Sequence, residues 1–253
     1  MNIEVTHKKL LGLMTEFNEI CKENDIHYTL HGGSLLGAIR EQGFIPWDDD
    51  IDTAMTREDF IKLQKVLENN KNYYIYGDIK KQFRKIGDDE LWVDIFVCDY
   101  IGTGISRKAK LFSLTALDIM SRDKNSMKLS NLDQYGKGKR IAFKTLYFVG
   151  KIIPRTTKVK LYNKIAESRF LGDKTRIHQS NDQFKARSKD FPREWMEKYL
   201  WVPFESEQFS VIENYHEMLV KWYGENYMTP IKDERNKDVH DIVRSLEDGG
   251  AKL

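Results

Sequence analysis

Apolar residues recur at spacings of three and four over residues 4–24: Leu10, Leu13, Met14, Phe17, Ile20 and Cys21. That period gathers them on one stripe and predicts an amphipathic helix, ended by Asn24 and Asp25. The period then changes to two. In "IHYTL" (26–30), Ile26, Tyr28 and Leu30 alternate with His27 and Thr29, a strand pattern. "GGS" (32–34) is expected as a turn, and "SLLGAIREQG" (34–43) as a short helix with Ser34 near its start and Gly43 as its stop. "IDTAM" (51–55) is a second strand. Thr56 opens another helix, with Glu58 and Asp59 in the first turn, where acidic side chains suit the helix dipole. "YYIYG" (73–77), "KQFRKIG" (81–87) and "LWVDIFVCDYIG" (91–102) are rich in aromatic and β-branched residues and predict consecutive strands, the last central in its sheet. From about residue 105 to 230 the texture is helical, in "RKAKLFSLTALDIM", "KTLYFVGKII", "VKLYNKIAESRF" and "FSVIENYHEMLVKWYG", with Pro192 and Pro203 as interruptions. The order predicts an α+β or mixed α/β fold: a β-sheet core with flanking helices over residues 1–104, then a helical C-terminal half over 105–253.

Composition narrows the class. A chain of 253 residues, 40% hydrophobic and 32% charged, can bury a substantial core and is globular rather than disordered. Cys21 and Cys98 are far apart and lack metal-ligand spacing, so they predict core thiols in a reducing compartment. "MNIEVTHKKL" has no signal-peptide pattern. The longest apolar candidate, "IAFKTLYFVGKIIP" (141–154), falls short of the roughly 18 residues a membrane span needs and is broken by lysines. A cytoplasmic protein is expected. Charge is uneven: residues 101–190 hold 21 Lys or Arg against 7 Asp or Glu, a local +14 in a chain whose net charge is +2. This points either to solvated helix faces or to an anionic partner for the middle of the chain.

The densest chemistry is in "LHGGSLLGAIREQGFIPWDDDIDTAM" (30–55), where Asp48, Asp49, Asp50 and Asp52 crowd together. Like charges this close need a cation, a turn or water around them. On a strand, Asp50 and Asp52 point the same way, about 6.6 Å apart. Asp48 shares their parity if the strand extends back, and Asp49 then faces outward. Oxygen-only ligation selects a hard ion such as Mg²⁺ (or Mn²⁺). Asp94, between Val93 and Ile95 in the most apolar strand, is costly to bury unless paired or metal-bound, and is the third candidate ligand. Gly32 and Gly33 let backbone N–H groups approach an anion, and Ser34 adds a hydroxyl at a helix start. An EF-hand reading of Asp48, Asp50 and Asp52 fails, because Thr53 stands where that loop needs Gly and Asp59 where it needs Glu.

Gly33-Ser34, Asp50-Ile51-Asp52 and Val93-Asp94-Ile95 together resemble the pattern of the nucleotidyltransferase superfamily. "GGSLLGAIREQGFIPWDDDID" closely resembles the LicD family of phosphocholine transferases, related to fukutin-type ribitol-phosphate transferases. The ending "WVPFESEQF…YHEMLVKWYGENYMTPIKDERNKDVH" is also similar to that family. The resemblance covers roughly residues 5–100 and 195–242; residues 105–190 offer no comparable anchor.

The resemblance implies a nucleotidyltransferase-like catalytic core over 1–104, with 105–253 completing the active site on the acceptor side. It implies Mg²⁺-dependent transfer of phosphocholine, or a similar alcohol phosphate, from a CDP-activated donor to a glycan or lipid-linked glycan acceptor in lipopolysaccharide, teichoic acid or capsule synthesis, with release of CMP. Asp48, Asp50, Asp52 and Asp94 would hold the metal, and Asp94 would take the acceptor's proton. Gly33 and Ser34 would grip the donor phosphate, with His31, Arg40, Lys85 and His240 as further candidates and Arg84 as a weaker one. Trp47 and Trp92 are candidates for the quaternary ammonium of choline. The alternative is a nucleotidyltransferase that moves a nucleoside monophosphate and releases pyrophosphate. No nucleic-acid partner is expected. "KGKRIAFKTLYFVGKIIPRTTKVK" (137–160) is a candidate either for a packed helical cap or for peripheral contact with an anionic membrane at its inner face.

Overall fold

The computed structural model describes residues 2–128, 136–168 and 174–230. The chain divides into two compact units, one of residues 1–107 with 167–230 and one whose described part is Lys108–Ala166. The first unit holds α1 (Ile3–Glu23), β1 (Thr29–Leu30), α2 (Gly32–Arg40), β2 (Ile51–Thr56), α3 (Arg57–Leu67), β3 (Tyr73–Tyr76), β4 (Lys81–Lys85) and β5 (Asp88–Tyr100). α4 (Gly104–Ser121) leads into the second unit, which continues with α5 (Lys124–Lys128), α6 (Lys137–Gly150) and α7 (Arg155–Glu167). The chain then returns to the first unit as β6 (Arg176–Gln179), α8 (Phe184–Arg187), β7 (Asp190–Pro192), β8 (Tyr199–Phe204), β9 (Glu207–Ile212) and α9 (Tyr215–Tyr223).

The fold is α+β. Its mixed sheet runs β1-β2-β5-β4-β3, with β6 on β5 and β7 on β6, and β8-β9 forms a separate hairpin. β2 and β5 are parallel, and the other pairs of the large sheet are antiparallel. β5 is central, as its apolar run predicts. It pairs with β2 on one edge and with two strands in relay on the other: β4 up to Ile95, β6 from Cys98. Between them the Asn181 side chain stands in for a strand residue. It accepts from the Val97 N–H at 2.8 Å and donates to the Ile95 carbonyl at 2.8 Å.

The α1 stripe is buried as its period predicts: Leu10, Leu13, Met14, Phe17 and Cys21 join Ile51, Met55, Val93, Ile95 and Val97 in one core. Phe17 meets Phe83 and Tyr28 edge-on at 5.2 Å, which fixes the helix on one face of the sheet. Thr56 caps α3 by accepting from the Asp59 N–H. Cys21 and Cys98 are buried free thiols. Burial raises the pKa of both.

The second half differs from its helical expectation. Among the described residues, Gly104–Ser121, Lys124–Lys128, Lys137–Gly150 and Arg155–Glu167 are helical, but 176–212 contain four strands. β6 and β7 are three to four residues long with polar Arg176, His178, Gln179 and Asp190 among them, too short to show a period. Pro203 does not break a helix; it lies in the two-stranded β8-β9 hairpin, an edge position proline tolerates. "FSVIENYHEMLVKWYG" is part of β9 followed by α9 rather than one helix. "GGS" is not a separate turn either: α2 begins at Gly32, whose φ of 55° only glycine adopts without strain.

Candidate active site

The register of the two parallel strands builds the site. Asp52 lies directly beside Asp94, on neighbours about 4.8 Å apart. The flanking Ile51, Thr53, Val93 and Ile95 are at most 1% exposed, so strand parity sends both carboxylates to the opposite, half-buried face. Asp50 immediately precedes β2. Asp50, Asp52 and Asp94 each bring a carboxylate oxygen into a cluster within 4.8 Å of one another, and Asp48, Asp49 and Asp50 form a second such cluster.

The glycines bring α2 against this cluster. A Cβ added at Gly32 would lie 2.5 Å from Asp52 Oδ2, and one at Gly33 would collide with Asp48 Oδ2. The His31 N–H donates to the Asp52 carbonyl at 2.9 Å, and the Asp52 N–H donates to Ser34 Oγ at 2.9 Å. Ser34 therefore ties α2 to β2 and keeps its own hydroxyl proton to donate. The 44–48 loop is held from α1, where His7 stacks on Phe44 at 4.2 Å and its Nε2 lies 2.6 Å from the Asp48 carbonyl. A carbonyl only accepts, so Nε2 carries the proton in that contact.

Burial and mutual repulsion raise the carboxyl pKa values. Asp48 is pushed up to about 8, first by burial and then by Asp50, with which it shares a side-chain hydrogen bond. Asp52 is raised well above the carboxylate range by burial and then by Asp50, Asp94 and Asp48. Burial lifts Asp94 to about 6, against the pull of Lys80 and of hydrogen bonds from Gln82 and Trp92. Groups that must share protons in the absence of a cation, all offering oxygen, fit a hard divalent ion.

The remaining sequence candidates divide. His31 is 3% exposed between Phe96 and Trp222, with the Gln179 amide nitrogen 3.1 Å from its Nε2. Burial, then Lys189, lowers its pKa to about 3, so it is a neutral wall beside α2. Arg40 pairs with Glu41 at 2.7 Å and donates to the Tyr227 carbonyl. Lys85 pairs with Glu16 of α1 at 2.9 Å, on the α1 side of the sheet rather than the acidic side. Trp47 is half-buried and packs against the core. Trp92 adjoins Asp94, but its face is occupied by Arg84, 4.4 Å from the ring centroid. His240 lies outside the described residues.

One reading is corrected. Asp49 does not face outward; it is 9% exposed. β2 starts at Ile51, so residues 48–50 form an irregular entry to which strand parity does not apply.

Other residues at the site left no sequence signal. Asp182 follows β6 in an irregular loop; burial raises it to about 6, and its charge reaches Asp52. Lys80 and Lys189 act on it in turn. Tyr223, half-exposed at the end of α9, feels the charges of Asp52, Asp48 and Asp50. Gln82 could have been found only by knowing that it pairs with Asp94.

A mixed sheet with carboxylates on adjacent parallel strands, facing the glycine start of a helix, resembles a nucleotidyltransferase-type domain. Residues 25–113 match the family model described as "LicD/FKTN/FKRP, nucleotidyltransferase domain". Over 91% of its length the chain is 28% identical to 92% of the lipopolysaccharide cholinephosphotransferase LicD of Haemophilus influenzae. Shorter matches are to an uncharacterized protein of Rickettsia typhi, 38% identical over 29% of this chain and 28% of that one, and one of Rickettsia prowazekii, 44% identical over 25% of each. Residues 25–113 thus carry the likeness to the LicD family's nucleotidyltransferase domain, and the Haemophilus influenzae relative extends it over 91% of the chain.

Proposed function

We propose that this protein is a phosphotransferase that moves phosphocholine, or a similar alcohol phosphate, from a CDP-activated donor to a hydroxyl of a lipopolysaccharide-type glycan or its lipid-linked precursor, releasing CMP. The observation that carries this reading is the side-by-side placement of Asp52 and Asp94, with Asp50 in the same oxygen cluster. The relative from Haemophilus influenzae supplies the substrate class. Mg²⁺ or Mn²⁺, held by Asp50, Asp52 and Asp94 with Asp48, would neutralise charge developing on the attacking and leaving oxygens.

The chain's own groups do the rest. Gly32 and Gly33 keep the start of α2 free of side chains, so a donor phosphate can approach its backbone N–H groups and the Ser34 hydroxyl. Asp94 accepts the proton of the acceptor hydroxyl. Asp182, Lys189 and Tyr223, from the segment that rejoins the first unit, supply the acceptor side. His31 excludes water behind the glycines.

A specific observation also favours membrane contact. On the second unit Ile141, Phe148 and Ile152 are 66%, 62% and 84% exposed, among Lys137, Lys139, Lys144 and Lys151. Apolar side chains ringed by cations suit the surface of an anionic bilayer. No helix among the described residues is long and apolar enough to cross a membrane.

The test is a donor screen by thermal unfolding with Mg²⁺, comparing CDP-choline, CDP-ethanolamine, CDP-ribitol and CDP-glycerol with nucleoside triphosphates. A CDP-alcohol is expected to raise Tm, and turnover with an acceptor glycan to release CMP. Stabilisation by triphosphates alone, with pyrophosphate as product, would replace this reading with nucleotidyl transfer.

A further inference from the structure

The face of the sheet that carries Asp94 also carries a row of side chains with no role in the scheme above. Tyr76 of β3 lies opposite Gln82 of β4, and Gln82 lies opposite Asp94 of β5. Arg84 and Trp92 are each two residues along from Gln82 and Asp94, so the strand period puts them on the same face. The Arg84 guanidinium is sandwiched, 4.4 Å from the ring centroids of both Tyr76 and Trp92. Two of its nitrogens donate to Gln82 Oε1, at 3.1 and 2.7 Å. Gln82 and Asp94 are facing partners across β4 and β5, and the amide stabilises the Asp94 carboxylate. Trp92 Nε1 donates to Asp94 Oδ2 at 3.3 Å.

A glutamine amide has an accepting end and a donating end. Here the accepting oxygen is taken twice by a cation, which leaves the NH₂ to face Asp94. We propose that Arg84 is a positioning residue: through Gln82, whose amide it orients, and alongside Trp92, it holds the Asp94 carboxylate in the geometry that receives a divalent cation. This rests on Asp94 being a metal-binding carboxylate. Gln82 and Trp92 are neutral donors, so neither itself sets a positive charge against the metal; the cation whose charge acts on Asp94 is Lys80. The cation stands one side chain further back, its plane fixed between two rings. A planar guanidinium can stack and fork onto one oxygen at once, which a lysine ammonium cannot do.

The test measures Mn²⁺ affinity by electron paramagnetic resonance on the metal-free full-length chain without donor, with thermal unfolding to confirm that each variant is folded. Gln82→Met and Arg84→Met are each expected to weaken Mn²⁺ binding about 10- to 100-fold, the usual range for loss of a group that orients a ligand. The double variant should bind no more than about twofold worse than Gln82→Met alone, because Arg84 acts through Gln82. Trp92→Phe, which keeps a ring for Arg84 but loses the N–H, should add its own loss to either. A role confined to packing would lower Tm and leave the affinity of the folded protein unchanged. Wild-type affinity in Arg84→Met or Arg84→Lys, or fully additive losses in the double variant, overturns the proposal. Asp94→Asn separates the two failures. If it binds Mn²⁺ like the wild type, the metal site itself has been misread and the proposal falls with it. If it binds weakly while Arg84→Met binds normally, only the positioning role is wrong.

Discussion

The acidic end of the large sheet and the α4–α7 unit break the ordinary rule of burial in opposite directions. At the sheet, Asp48, Asp50, Asp52 and Asp94 are drawn into a half-buried cluster where burial, and beside it the Asp50 charge, raises the proton affinity of Asp48, Asp52 and Asp94. In the α6 region, large apolar side chains stand in water while α6 buries only Gly150. Charges turned inward are costly unless a cation or proton offsets them. Apolar groups turned outward are costly unless something covers them. On the function proposed above, each departure is met by a partner: a hard ion and a phosphate at the sheet, a membrane surface at α6.

The strongest attempt to break this contrast is Asp52→Asn. Activity should fall about 100- to 1000-fold, as when one group stabilising transition-state charge is lost. The metal-free fold should be as stable as before or more so, since a repelled buried charge has gone. A large drop in Tm would mean that the cluster is structural. Gly33→Ala is next in size. Its Cβ collides only with the mobile end of Asp48, so that carboxylate gives way rather than the backbone. Mn²⁺ affinity should fall about tenfold with little change in Tm. An unchanged affinity, measured by calorimetric titration, would remove Asp48 from the metal set.

Much of this region was legible in the sequence because local patterns determine it. The α1 stripe, the Thr56 cap, the Asp50-Ile51-Asp52 alternation and an aspartate inside an apolar strand depend on near neighbours in the chain. Pairings across strands were not legible. Nothing local says that β4 places Gln82 beside Asp94, or that the chain returns after α7 to lay Asn181 along β5 and carry Asp182 toward Asp52. Strand parity failed for Asp49 because the strand had not yet begun. Exposure failed to show in the α6 region for a similar reason: an amphipathic stripe looks the same whether or not another element covers it.

A third way to sharpen the contrast is pH. Asp48 at about 8 and Asp94 at about 6 bind protons more tightly folded than unfolded, where both lie near 3.8. Their contribution to stability is present at low pH and is lost as pH rises through those values. His31 has the opposite sign. Held near 3 in the fold against 6.5 unfolded, it stabilises above pH 6.5 and loses that contribution as pH falls. Between about pH 6.5 and 8 Asp48 therefore acts without it, Asp94 having given up most of its proton below that window. Metal-free protein should lose Tm across that window, with a slope of up to about 1.4 kcal/mol per pH unit for each proton released. Saturating Mg²⁺ or Mn²⁺, which takes the proton's place, should flatten the slope, and Asp48→Asn should reduce it. A slope indifferent to metal would separate the cluster's protons from any cation.

The smallest effect on the fold is expected at the other region, where it is the most discriminating. Phe148→Ser and Ile152→Glu change side chains that are 62% and 84% exposed, so stability should move by no more than about 0.5 kcal/mol. Turnover with a soluble acceptor should not change. Co-sedimentation with phosphatidylglycerol vesicles should fall about tenfold or more for each, since burying such a side chain is worth about 1.5–3 kcal/mol. Wild-type binding should also weaken when phosphatidylcholine replaces the anionic lipid or when salt shortens the reach of Lys139, Lys144 and Lys151. Only a surface that uses both terms loses binding to both changes. Loss with Ile152→Glu at undiminished salt sensitivity, together with a Tm drop of several degrees, would instead mean that these side chains pack against the protein itself. The outward half of the contrast would then disappear, leaving the buried charges as the one departure from ordinary burial.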